Sequence, residues 1–193
     1  MAKAKSILNK KSKEFLAKYH NNYSPTGFEQ EGQKLWLEYI KPYIDDYWVD
    51  TYGSVVGIIN PEAEYKVVIE AHADEISWFV HYITDDGFIY LRRNGGSDHQ
   101  IAPSKRVHIH TKKGLVDAFF GWPAIHTRGG GKETPPKNDN IFLDCGCDTK
   151  DEVEALGVHV GCVVTFEDEF IVLNKHNSNS NLSGLHNQEI VIM

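Results

Sequence analysis

Hydrophobic and polar positions follow different rhythms along this chain, and each rhythm marks a region. Phe28, Leu35, Trp36, Tyr39, Ile40 and Tyr43 recur at intervals that fit one face of a helix. Thr26 and Glu29 precede that helix at capping-box spacing, and Pro42 falls near its end. A shorter helix is predicted over residues 6–20, closed by the polar stretch "YHNNYSPTG" with Pro25 and Gly27. "YWVDTYGSVVGIIN" reads as a hairpin that turns near Asp50 to Gly53. In "EYKVVIEA" the unbroken Val67-Val68-Ile69 centre predicts a strand buried on both faces, as in the middle of an α/β sheet.

After residue 76 the period shortens to two. "SWFVHYITDDGFIYLRR" predicts two strands around Asp86-Gly87, and "KRVHIHTKKGLVDAFFGW" two more around Lys113-Gly114. "PAIHTRGGGKETPPKNDN" carries the glycines and prolines of a surface loop. "DTKDEVEALG" predicts a short helix, with Thr149 and Glu152 at capping-box spacing and Gly157 as its stop. "VHVGCVVTFEDEFIVLN" returns to strands. The expected organisation is residues 1–75 as the start of an α/β domain, 76–166 as a compact β module within it, and 167–193 as a return to the first domain. That return runs into the polar stretch "NKHNSNSNLSGLHNQEIVIM".

Composition narrows the picture. The chain has 193 residues, 41% hydrophobic and 24% charged, the profile of a soluble globular protein. Twenty basic side chains against 27 acidic ones leave a net charge of −7. That balance argues against nucleic acid as the main partner, since phosphate binding relies on Lys and Arg. The basic start (Lys3, Lys5, Lys10, Lys11, Lys13) reads as the solvated face of the first helix. No apolar run is long enough to span a membrane and no signal-peptide core follows the basic start, so neither a membrane nor export is expected. Three sparse cysteines point to reduced thiols and a cytoplasmic setting.

Several residues invite chemistry. His72 follows the predicted strand directly, where ligands gather in open α/β sheets. Asp74, two residues on, is placed to orient an imidazole that holds a metal. The competing reading is a strand that has reached water. His108 and His110 flank Ile109 and share one strand face, without an evident third ligand. Cys145 and Cys147 are one residue apart, short of zinc-knuckle spacing. "RGGGK" (128–132) lacks the spacing and the strand-helix context of a phosphate loop. "RNGGSDHQ" (93–100) reads as a tight turn, with Asp98 and His99 as weaker candidates. No nucleophile elbow is present.

The order of segments adds a further inference. "SPTGFEQEGQKLWLEYIKPYIDDYWVDTYGSVVG", then "AHADEIS", then "YITDDGFIYLRRNGGSDHQIAPSKRVHIHTKKG", then "DEVEALGVHVGCVVTFEDEFIVLN" run over residues 24–174. Together they resemble the deblocking or glutamyl aminopeptidases, peptidase family forty-two. These are dinuclear metallopeptidases that include the tetrahedral TET particles and proteins historically labelled endoglucanase M. The resemblance implies an aminopeptidase-like (phosphorylase/hydrolase-like) α/β sheet with an inserted β-barrel at 76–166 that drives homo-oligomerisation. It implies a metal-dependent aminopeptidase acting on short peptides, with two divalent ions (zinc or cobalt) and a glutamate as general base. It makes His72 a metal ligand and Asp74 the carboxylate behind it. After Asn174 the family's pattern stops. "HNSNSNLSGLHNQ" carries no aspartate where the family places the one that bridges its metals, and His186 and Glu189 lack motif context. The expectation is an amino-terminal half with a divergent or out-of-frame tail, at most one weak metal site, and little or no peptidase activity. The alternative is a non-catalytic remnant that self-associates through its β module. Without the resemblance the chain reads as a small α/β plus β binding module.

Overall fold

The computed structural model describes residues 9–128 and 135–171. They divide into two compact units, one holding 9–75 with 168–171, the other lying within 76–167.

In the first unit α1 (Lys10–His20) begins at Asn9, whose side chain accepts the Ser12 N–H. The second helix, α2 (Gln30–Ile40), lies against it through Phe15 and Tyr39, whose rings stack at 3.9 Å between centroids. Glu29 caps α2 without a side-chain cap bond, and its carboxylate instead accepts the Gly27 N–H at 2.6 Å. The capping box predicted from Thr26 and Glu29 is therefore not formed, because the Thr26 hydroxyl is engaged elsewhere. The hairpin forms as read: β1 (Asp46–Val49) pairs antiparallel with β2 (Val55–Ile58). Asp50 closes its turn by accepting the Tyr52 and Ser54 N–H groups.

The predicted buried strand over "EYKVVIEA" does not form. Residues 64–71 join no ladder, and Val67, Val68 and Ile69 are 74%, 78% and 74% exposed. β-Branched side chains favour extended backbone, but a strand exists only through pairing. Among the described residues no strand lies beside this segment.

The second unit is a closed six-stranded barrel. Its strands are β3 (Ser77–Ile83), β4 (Ile89–Asn94), β5 (Arg106–Thr111), β6 (Gly114–Gly121), β7 (Phe142–Asp144) and β8 (Val163–Phe166), arranged β3-β4-β7-β6-β5-β8. Every pairing is antiparallel. Alternation sends Val107 and Ile109 of β5, Ala118 and Phe120 of β6, and Val164 and Phe166 of β8 inward. A register shift between Val80 and Tyr82 marks a bulge in β3, and it turns Ile83 rather than Tyr82 inward beside Trp78 and Val80. Both hairpins turn where the glycines predicted. The three-residue β7 was missed, because it is shorter than any periodic signal. Helix α3 (Lys150–Ala155) starts at Thr149, whose hydroxyl accepts the Glu152 N–H, and Gly157 stops it at φ +94°. The architecture is thus mixed α/β with a closed barrel, and no described helix is long and apolar enough to cross a membrane.

Candidate functional site

Residues 72–75 leave the extended segment and meet the loop between the two helices. The Glu75 N–H donates to the Ser24 carbonyl at 2.8 Å, and the Thr26 N–H donates to the Glu75 carbonyl at 3.2 Å. The Ser24 N–H donates to the Glu75 carboxylate at 2.7 Å. These bonds surround a single parallel bridge between Pro25 and Glu75. Ser24 is fully buried, and its hydroxyl accepts from the Asn22 amide at 3.0 Å. Gly32 makes this seat possible: a Cβ there would run into the Ser24 hydroxyl, so only glycine lets α2 pass so close.

His72 stands at the open side of this arrangement. Its Nδ1 lies 3.0 Å from Asp74 Oδ1 and 3.0 Å from the Asp74 carbonyl. Both neighbours are pure acceptors when the carboxylate is ionised, so Nδ1 carries the ring proton and Nε2 keeps its lone pair. The His72 side chain is 43% exposed. The other oxygen of Asp74 accepts the Thr26 hydroxyl at 2.5 Å. Behind them the half-buried Glu75 carboxyl is pushed up to about 7. Loss of water is the main cause, the Ser24 N–H opposes it, and the charges of Asp168 and Asp74 add to it.

One imidazole backed by one carboxylate suits a borderline divalent cation such as zinc, which takes a neutral ring nitrogen whose other N–H is held by an acceptor. It is one donor of the set such an ion needs. Among the described residues no group of three or more His, Cys, Asp or Glu side chains converges to hold a metal.

The remaining described candidates lie in the barrel unit, and apart from His99, whose buried Nδ1 meets no hydrogen-bond partner, they have structural partners. His108 Nδ1 pairs with Asp117 at 2.8 Å across β5 and β6, and His110 Nε2 meets the buried Thr165 hydroxyl at 2.9 Å. Burial, and then the charge of His108, hold the His110 imidazole below its ordinary range. The Cys145 thiol is pushed up to about 12, first by burial and then by its hydrogen bond with the Cys147 thiol. Asp98 accepts the Gln100 N–H and shapes its turn. Of "RGGGK" only Arg128 is described, stacked 3.7 Å over the Trp122 ring. His186, Glu189, Lys3, Lys5 and the polar tail lie outside the described residues.

Sequence reasoning singled out His72 and Asp74 but passed over Ser24, Thr26 and Glu75. The signal was faint. "SPTG" and "ADEIS" lie about fifty positions apart, and the Thr26/Glu29 spacing offered a ready local explanation.

The sequence model of the M42 glutamyl aminopeptidases matches residues 53–182. The lysyl aminopeptidase of Pyrococcus furiosus is 26% identical over 166 residues, which cover 84% of this chain and 48% of that protein. The TET aminopeptidase of the marine sediment archaeon Thaumarchaeota archaeon SCGC AB-539-E09 superposes with a TM-score of 0.78 at 28% identity, over 85% of this chain and 46% of that one. The TET1 peptidase of Pyrococcus horikoshii, which can assemble into a tetrahedron or a large octahedral shell, superposes at 0.69 with 28% identity, over 83% of this chain and 48% of that one. The chain spans just under half the length of each of these relatives.

Proposed function

This chain belongs to the M42 glutamyl aminopeptidase family, and from that premise we propose that it carries part of a metal-dependent aminopeptidase site, for release of N-terminal residues from short peptides. The observation that carries the reading is the His72–Asp74 pair, 3.0 Å apart at Nδ1 and Oδ1, on a partly exposed imidazole. His72 would hold one divalent ion, zinc or cobalt, through Nε2. A bound ion of this kind polarises a peptide carbonyl and lowers the pKa of a bound water. The chain's own part is to fix the imidazole. Asp74 holds the Nδ1 proton, and Glu75 ties this segment to Ser24 and Thr26.

A dinuclear site needs several further oxygen or nitrogen donors around two cations, and among the described residues one supported imidazole cannot supply them. By itself the chain is therefore proposed to bind at most one ion weakly and to turn over peptides slowly or not at all. The barrel at 76–166 is proposed to be an insertion in the α/β domain. Its residues lie between two stretches of the first unit, and the assembling relatives superpose over most of this chain. That barrel is taken as the surface of homo-oligomerisation, in a cytoplasmic protein.

Zinc or cobalt titration of the wild type and His72→Ala, with hydrolysis of amino-acid p-nitroanilides in parallel, tests the reading. The expected result is substoichiometric to single-ion binding that His72→Ala abolishes. Binding that His72→Ala leaves untouched overturns it.

A further inference from the structure

Thr26 lies outside every named strand and precedes α2, yet its hydroxyl does not cap that helix. One proton is shared between two acceptors in reach, Asp74 Oδ2 at 2.5 Å and the Glu75 carbonyl at 3.3 Å. The shorter contact is to an ionised oxygen, the stronger kind of bond, so the proton goes to Asp74. The two oxygens of Asp74 are thereby divided. Oδ2 rests on Thr26 and Oδ1 on His72 Nδ1. A carboxylate bonded at one oxygen alone can turn about its χ2 torsion, which is broad and roughly two-fold. Bonded at both, it is fixed in plane and direction.

We propose that Thr26 is a positioning residue whose hydroxyl locks the Asp74 carboxylate, so that His72 keeps its proton on Nδ1 and turns a bare Nε2 toward a divalent cation. The cation in that statement rests on the metal-ligand reading of His72. The tautomer does not, since it belongs to the protein alone.

Two features separate this role from a general structural one. The Thr26 backbone is held independently of its hydroxyl: its N–H bonds to the Glu75 carbonyl, and Glu75 bonds to Ser24 through both its main chain and its carboxylate. Removal of the hydroxyl therefore leaves the loop seated while freeing one oxygen of Asp74. The helix does not need it either, because Glu29 occupies the cap position. Thr26→Val keeps the shape and loses the bond. Thr26→Ser keeps the bond and loses a methyl group.

The test uses the full chain labelled with nitrogen-15. Long-range proton–nitrogen correlation of the imidazoles, recorded where the ring is neutral, reads the tautomer of His72. Zinc affinity by competition with a chelating dye is measured on the same samples. The expected result is an Nδ1–H ring in the wild type and in Thr26→Ser, and a mixed or Nε2–H ring in Thr26→Val. Zinc binding should weaken in Thr26→Val alone, by about tenfold, the lower end of what groups behind a ligating histidine contribute. An unchanged tautomer in folded Thr26→Val overturns the proposal. So does an Nε2–H ring in the wild type, which keeps the question decidable if the valine variant does not fold. If the tautomer responds as stated while no sample binds zinc, the Thr26 role is supported and the cation reading of His72 fails.

Discussion

Burial strips water from Glu75, the charges of Asp168 and Asp74 lie nearby, and its carboxyl is pushed up to about 7 from the ordinary 4.5. Between those two values the folded chain holds a proton that the unfolded chain has released. Unfolding then sheds that proton, so stability falls as pH rises through this window and levels off above it. The largest drop is about 3 kcal/mol, from the free energy of the shift. Glu75→Gln keeps an oxygen for the Ser24 N–H and removes the titration. Urea unfolding near pH 5 and near pH 8 should show a steep loss in the wild type and a much flatter one in the variant. Equal slopes would show that another group governs this window. The His72–Asp74 pairing was legible in the sequence because a carboxylate two residues on can reach and orient an imidazole. The clamp by Ser24 and Thr26 was not. It joins residues that only folding brings together, and local spacing pointed Thr26 toward the helix.

At the scale of elements, the short periods of the barrel translated directly into strands, and their glycines into turns. The failure at residues 64–71 is instructive because its composition was correct for a strand. The Val67-Val68-Ile69 run stands largely in solvent, with its backbone outside any ladder. Unpaired backbone beside exposed apolar side chains is open to association. Val68→Lys places a charge in the middle of that run, at a side chain that supports no described core. Light scattering at rising protein concentration should show the wild type associating more readily than the variant, with equal thermal midpoints. An unchanged concentration dependence would place the adhesive surface elsewhere.

At the scale of the whole molecule, the two units are built on different principles. The barrel closes on itself, so no strand edge is left open, and its core is continuous. Trp78 is its largest buried side chain, packed edge-to-face against Phe120 at 5.0 Å and Phe166 at 4.7 Å between centroids. Trp78→Ala removes that wedge and should cost about 3–5 kcal/mol, read from denaturant unfolding by circular dichroism. A loss below about 1 kcal/mol would mean that the barrel collapses around the gap. Among the described residues the first unit has no comparable enclosure. α1 contains no fully buried residue, and α2 contributes only Gly32.

Sequence alone determined the period of each region, the turns at Gly87 and Gly114, the Thr149 cap, and the His72–Asp74 pairing, since each depends on residues within one turn or one hairpin of one another. The order of its motifs also determined the family. Tertiary structure decided whether a β-branched run became a strand, which hydroxyl served a cap and which served a carboxylate, and how far Glu75 left the ordinary acid range. Those outcomes turn on pairing, competition for a single proton and loss of water. Each is set by neighbours that the linear chain does not place side by side.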